Sequence, residues 1–401
     1  MDRTFVGRQP IYRDGVDVFA YELLSRDSEL NRAAFTDSDR ATARLLLEAF
    51  VDIGLDQVVG PYIAFVNVTP NFLLSDYCFS LPKSRVVLEI GADSPADPPL
   101  LNRLADLKNA GYSIALDNFP YAEAEHPLLP LANIVKIDIR GVAPKPIAAE
   151  TAALRKFGVK LLAQKVETHE AYEYSKQSGF DYYQGYFFCK PQIVSQRQIP
   201  SDRLSILHLL SKLQDPQITI DDLELAVGQN LAISFRILRY LNSPLNGLSR
   251  KVSSLRHGIA LVGTRLIANW ASMMLLQSVE NKPRELMNTT MVRAYMCRQL
   301  GAAMRQRNVD QFFTVGLLSL IDAVVDRPMT EVLKLLPLVD DVKNAIVHRT
   351  GPMGAVLNCV EAYEQCDWDR ASCKGIDDRE VRQAFLNSVI WARATTEKVV
   401  A

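Results

Sequence analysis

In the first half of the chain, short apolar runs end on polar side chains and are separated by stretches with helical spacing. Phe5–Tyr12 and Val16–Leu24 flank Asp14-Gly15, and Asp-Gly between two strand-like runs predicts a hairpin. Tyr62–Val68, Arg85–Ile90, Ser113–Leu116, Ile134–Ile139, Val159–Val166 and Tyr182–Phe188 read as further strands. Asp37–Ile53, Leu100–Ala110, Ile147–Lys156 and His169–Ser178 read as helices, with Gly54, Gly111, Gly158 and Gly179 as stops. This alternation implies a mostly parallel sheet, and so many strands point to a closed TIM-like (β/α) barrel. Gln192–Arg203 is polar and reads as a linker or a helix entry. From Leu204 onward the periodicity is almost entirely helical, through Leu223–Val227, Ile233–Leu241, Leu255–Val262, Leu266–Leu276, Met291–Gln306, Gln311–Val325, Met329–Leu336 and Val342–His348 to Asp377–Lys398. An α/β barrel over 1–195 followed by an all-α helical domain over 196–401 is the expected architecture.

Length agrees with two domains, since 401 residues exceed one ordinary core. The charge balance, 45 basic against 46 acidic residues, gives no support for a nucleic-acid or anionic-membrane partner. The start, MDRTFVGRQP, lacks an apolar segment of signal-peptide length. The most apolar run, Trp270–Leu276, falls far short of the roughly 20 residues that span a bilayer. A cytoplasmic protein is expected. Six scattered cysteines do not form a secreted disulfide pattern. Cys359, Cys366 and Cys373 recur at a seven-residue step, but on one helix that is about 10.5 Å of rise, too far for thiolates to share an ion. They read as reduced structural thiols.

The polar strand ends carry the chemistry. Glu22, Asn67, Glu89, Asp117, Lys136, Asp138, Gln164, Glu167 and Gln184 all fall in or near successive strand ends. Singly, each would be a surface or capping residue. In barrel order, the clustered oxygens suit a hard divalent cation, Mg²⁺ or Mn²⁺, with a phosphate as the substrate group. No glycine-rich phosphate loop follows any strand, which argues against a dinucleotide or P-loop fold.

The order YELLSR, FVNVTP, VLEI, LDNF, KID, AQKVET and QGYFFCKP resembles, motif by motif, the EAL-type cyclic di-GMP phosphodiesterase domain, over about residues 5–195. The resemblance implies that Glu22, Asn67, Glu89 and Asp117 bind metal and that Lys136 helps hold the attacking water. Arg26 and Gln184 would match ligand or pocket positions. It also marks departures. Asn118 stands at the second Asp of Asp-Asp-Phe and Gln164 at the Glu of Ala-Glu-Gly. Lys165 replaces the adjoining glycine, and Pro120–Glu125 replaces a Gly-Thr-Gly loop. An amide accepts no proton at neutral pH and is a weaker ligand than a carboxylate. Loss of a general base costs about 10²–10⁴-fold in rate.

Asp215–Leu276 similarly resembles the HDOD domain, an output module related to HD phosphohydrolases, over about residues 196–390. HD chemistry needs an adjacent His-Asp pair, and none of His126, His169, His208, His257 and His348 is followed by Asp. These readings lead to the expectation of a non-catalytic signalling protein. Its degenerate barrel would act as a cyclic di-GMP sensor or protein-docking module, and its HDOD domain would engage a protein partner. No cofactor is required on this reading, although Mg²⁺ or Mn²⁺ can persist at a vestigial or single-metal site. A homodimer stays open. The alternative is a weak or altered metal-dependent cyclic di-GMP phosphodiesterase, with one metal on Glu22, Asn67, Glu89 and Asp117 and with Glu167 near Gln164.

Overall fold

The Asp14-Gly15 turn closes the expected hairpin, in which β1 (Thr4–Arg13) runs antiparallel to β2 (Val18–Asp27). Each later strand then adds parallel to its predecessor. These are β3 (Ile63–Asn67), β4 (Val86–Gly91), β5 (Ser113–Asp117), β6 (Ile134–Asp138), β7 (Lys160–Gln164) and β8 (Tyr182–Gln184). β1 also pairs antiparallel with β8, which closes the barrel. The structure, a computed structural model, describes residues 4–15, 17–27, 54–120, 126–140, 151–190, 201–229, 254–277 and 282–400, together with Ile233, Ser234, Ile237, Leu238, Leu241 and Val252. The helix expected over Asp37–Ile53, the loop residues Tyr121–Glu125 and the polar stretch over 191–200 lie outside the described residues.

Strand alternation sets the barrel interior. Ile11, Ala20, Phe65, Val87, Ala115, Ile134 and Leu162 come from β1 to β7 in turn and form one buried cluster, against which Tyr182 of β8 packs. Side chains two apart on a strand share a face, so the next interior layer is fixed as soon as this one is. In a parallel barrel such layers fill the lumen, and the layer nearest the strands' carboxyl ends opens onto the loops.

Local chemistry ends the strands on time. After β3, Thr69 caps the short helix Pro70–Leu74 by accepting a hydrogen bond from the Phe72 N–H, and Pro70 takes the first turn, where a missing N–H costs nothing. Thr168 caps His169–Gln177 in the same way after β7.

Two compact units are present: Met1–Phe188 with Glu364–Trp368, and Cys189–Tyr363 with Asp369–Ala401. The described part of the second is helical, as expected. Its core includes α1 (Arg284–Ala303), α2 (Val309–Leu318) and α3 (Asp378–Val400). Tyr295 stacks on Trp391 at 4.4 Å between ring centroids. Buried Arg293 donates to Ser319 Oγ and Glu361 Oε1, both at 3.0 Å. The helix Gly351–Glu364, which starts at Gly351-Pro352, is absent from the periodicity reading. In a first turn proline removes only an N–H that has no intrahelical partner. The seven-residue cysteine step does not follow one helix: Cys359 lies in Gly351–Glu364, Cys366 sits beyond it at a left-handed φ of 56°, and Cys373 comes back beside Cys359, whose thiol it helps push above its ordinary value. Among the described residues, which include all six cysteines, there is no disulfide.

Candidate active site

Moving two residues along each strand from the buried layer reaches Gln9 on β1, Glu22 on β2, Asn67 on β3, Glu89 on β4, Asp117 on β5, Lys136 on β6, Gln164 on β7 and Gln184 on β8. Every strand contributes one polar side chain to a single interior layer at the carboxyl end of the parallel strands. The ladder fixes their backbones, since the carbonyls of Glu89, Asp117, Lys136, Gln164 and Gln184 each accept from a backbone N–H one or two residues past the end of a neighbouring strand. Gly185 permits the last of these closures. Its φ is +156°, and a Cβ there would lie 1.9 Å from the Val166 carbonyl oxygen.

Lys136 is the hub. Its side chain is fully buried, and its Nζ donates to Glu22 Oε2 at 3.0 Å and to Glu89 Oε1, with Asp117 Oδ1 at 3.3 Å. Glu22 also accepts from Asn67 Nδ2 at 3.0 Å and from Gln184 Nε2 at 2.6 Å, and Gln184 in turn donates to Gln9 Oε1 at 2.9 Å. The two amides at departure positions both serve Asp117. Gln164 Nε2 donates to Asp117 Oδ1 at 2.8 Å and Asn118 Nδ2 to Asp117 Oδ2 at 2.9 Å.

One ammonium thus faces three carboxyl groups. Desolvation pulls the Lys136 pKa down, but the Glu22, Glu89 and Asp117 charges outweigh it and hold the ammonium above its ordinary value. Burial, reinforced by the Glu22 charge, pushes the fully buried Glu89 carboxyl well above its ordinary value against the pull of Lys136. Three carboxyl groups thus crowd around a single buried cation.

A divalent cation fits that donor set. Glu89 Oε2, Gln164 Oε1 and Gln184 Oε1 are buried acceptor oxygens without hydrogen-bond partners, and leaving such groups unmatched costs about 1–3 kcal/mol each. Hard carboxylate and amide oxygens are the ligands Mg²⁺ and Mn²⁺ prefer. Among the described residues no group of three or more acidic, histidine or cysteine side chains is already arranged to hold a metal ion, and the Lys136 ammonium supplies the positive charge that the three carboxyls share.

Two of the expected residues stand apart. Asp138 is held by Arg140, whose Nη2 donates to Oδ2 at 2.6 Å, and this contact draws its carboxyl below the ordinary value in spite of partial burial. Glu167 is exposed on the loop after β7, where its charge acts on Arg140. Arg26 lies opposite Phe5 near the end of β2, with its side chain outside the described residues. Gln9 is the member that motif reading missed. Counting back across the hairpin from Glu22 would have found it, because the two residues are direct partners in register.

Residues 73–191 match the EAL domain family and residues 199–329 the HDOD domain family. The chain is 31% identical to the cyclic di-GMP phosphodiesterase CdgJ of Vibrio cholerae, over 98% of this chain and 93% of that protein. It is 32% identical to the uncharacterized protein YuxH of Bacillus subtilis, over 97% of this chain and 98% of that one. A standalone EAL protein of Vibrio cholerae, solved bound to c-di-GMP, aligns with 47% of this chain and 92% of its own at 22% identity and a TM-score of 0.39. No described helix is long and apolar enough to cross a membrane.

These findings correct the expectation of a non-enzyme. A relative matched along nearly the whole chain is named a phosphodiesterase. Physically, the amides at 118 and 164 leave the cluster assembled, because both donate to Asp117 and both have a remaining oxygen. The chain belongs to the EAL–HDOD family of signalling proteins.

Proposed function

We propose that the barrel is a metal-dependent phosphodiesterase that opens cyclic di-GMP to the linear dinucleotide. The observation that carries this reading is the eight-strand polar layer, with three carboxyls around one lysine and three unpartnered buried oxygens. Glu22, Asn67, Glu89 and Asp117 would hold Mg²⁺ or Mn²⁺, which when bound polarises a phosphoryl oxygen and acidifies water. The chain's own residues organise the rest. Lys136 fixes Glu22 and Glu89 in position and keeps a positive charge where anionic phosphate arrives. Gln164 and Asn118 orient Asp117, while Gln184 and Gln9 orient Glu22. In the reaction water oxygen bonds to phosphorus, one bridging P–O ester bond breaks, and the departing sugar oxygen takes up a proton. The HDOD half, over 196–401, would act as the output module toward a protein partner, on the support of the family match.

The test is incubation of the full chain with cyclic di-GMP and Mn²⁺ or Mg²⁺, followed by chromatography. Linear product is expected, lost on chelation and reduced at least about 10²-fold in Glu22→Gln, which keeps the side-chain shape while removing a charge. No linear product with either metal from a folded protein would refute the reading.

A further inference from the structure

The helical unit contains a cavity of about 200 Å³ whose lining includes Gln214, Arg265, Arg307, Asp310 and Gln311. It is smaller than the roughly 300–1,000 Å³ of a drug-sized site, so its occupant is a small ion or the head of a larger molecule. Three observations define the chemistry of that occupant.

First, the cavity offers two guanidinium groups with little else to hold. Arg265 donates from Nη1 to the Gln214 carbonyl at a long 3.5 Å, and exposed Arg307 has no ion pair among the described residues. Guanidinium forks suit oxyanions. Second, Gln214 is 1% exposed, and its Nε2 is committed to Ser272 Oγ at 2.9 Å while Oε1 is buried without a partner. Third, Asp310 Oδ1 is also buried without a hydrogen bond, and the nearest cation, Arg298 Nε, is 3.5 Å away. Asp310 lies in the first turn of α2, whose cap residue Asn308 makes no side-chain capping bond. A helix N-terminus adds partial positive charge to such a site.

Two arginines call for an anion, whereas the Gln214 oxygen, and Asp310 Oδ1 with its ion-pair partner Arg298 at 3.5 Å, leave room for a hydrogen-bond donor on that same anion. A bare oxyanion would meet the carboxylate of Asp310 as a repelling charge. An oxyanion that keeps a proton turns the same carboxylate into a partner. We propose that this cavity is a binding site for a protonated phosphate group, with Arg265 and Arg307 holding its oxygens and either Gln214 Oε1 or Asp310 Oδ1 accepting from its single P–O–H. Hydrogen phosphate carries that proton at neutral pH and sulfate does not. The free anion is the form that carries it, since a phosphate monoester such as a nucleotide has lost its second proton by pH 7.5. The site lies wholly within the helical unit and does not depend on the barrel's chemistry.

Calorimetric titrations of the metal-free full chain at pH 7.5 with inorganic phosphate, guanosine 5′-monophosphate and sodium sulfate test this. Phosphate should bind at least tenfold more tightly than either sulfate or the nucleotide, neither of which carries the proton at this pH. Arg307→Gln, an exposed position, should weaken that binding at least tenfold with the thermal unfolding midpoint unchanged, while Glu22→Gln in the barrel should leave it as it was. Sulfate or the nucleotide matching phosphate, no heat from phosphate, or undiminished binding in folded Arg307→Gln would each overturn the proposal.

Discussion

Asn118 and Lys165 share a backbone conformation, with φ of 49° and 60°, both in the left-handed region. Asparagine enters it readily, and for most other side chains it costs roughly 1–2 kcal/mol. The turn after β7 therefore explains why the family pattern has glycine where this chain has Lys165. Asn118 suits its turn and also has the donor that Asp117 uses. Gln164 is a similar case. An amide can donate 2.8 Å to Asp117 Oδ1, and a carboxylate cannot. Gln164→Glu is thus expected to destabilise the metal-free protein by about 1–3 kcal/mol, since a hydrogen bond becomes a like-charge contact in a buried setting. Added Mn²⁺ should recover more stability in the variant than in the parent protein. Urea unfolding with and without the ion measures both effects, and an unchanged midpoint would remove Gln164 from the charge balance of the site.

At the scale of elements, the active layer follows from alternation. Once Ala20, Phe65, Val87, Ala115, Ile134, Leu162 and Tyr182 face inward, Glu22, Asn67, Glu89, Asp117, Lys136, Gln164 and Gln184 must do so as well. A one-residue slip in any strand would turn its polar member out of the barrel. Helix packing in the second unit is equally specific. Gly316 on α2 lets that helix approach α1 so closely that a Cβ would stand 2.6 Å from the Ala294 Cα. Backbone cannot give way as a side chain can. Gly316→Ala should cost about 1–3 kcal/mol through overpacking, despite alanine's higher helix propensity. A variant as stable as the parent in urea would show that the two helices separate without cost.

At the scale of the whole molecule, each unit has its own buried core, so unfolding need not be a single transition. Two transitions are expected in urea by circular dichroism combined with tryptophan fluorescence. Trp270 and Trp391 belong to the second unit, so the fluorescence change should report mainly on that transition. Mn²⁺ should move only the barrel's transition, by about 2.7 kcal/mol at a hundredfold excess over its dissociation constant. Coincident transitions that shift together would show that the units unfold as one.

The sequence by itself determined the hairpin, the strand–helix alternation, the helical second half and most of the polar layer. Those features rest on local periodicity and turn chemistry, which a linear pattern records directly. It left Glu167 and Asp138 inside the constellation, because position near a strand end records neither the loop that carries Glu167 nor the Arg140 side chain that holds Asp138. It also passed over Gln9, which becomes a neighbour of Gln184 only when β1 meets β8 across 175 residues. The reading of Asn118 and Gln164 as lesions came from comparing residue types one by one. Only the closed barrel revealed that both amides hold Asp117 while one buried lysine balances three carboxyls, since such charge sharing depends on distances that no stretch of sequence contains.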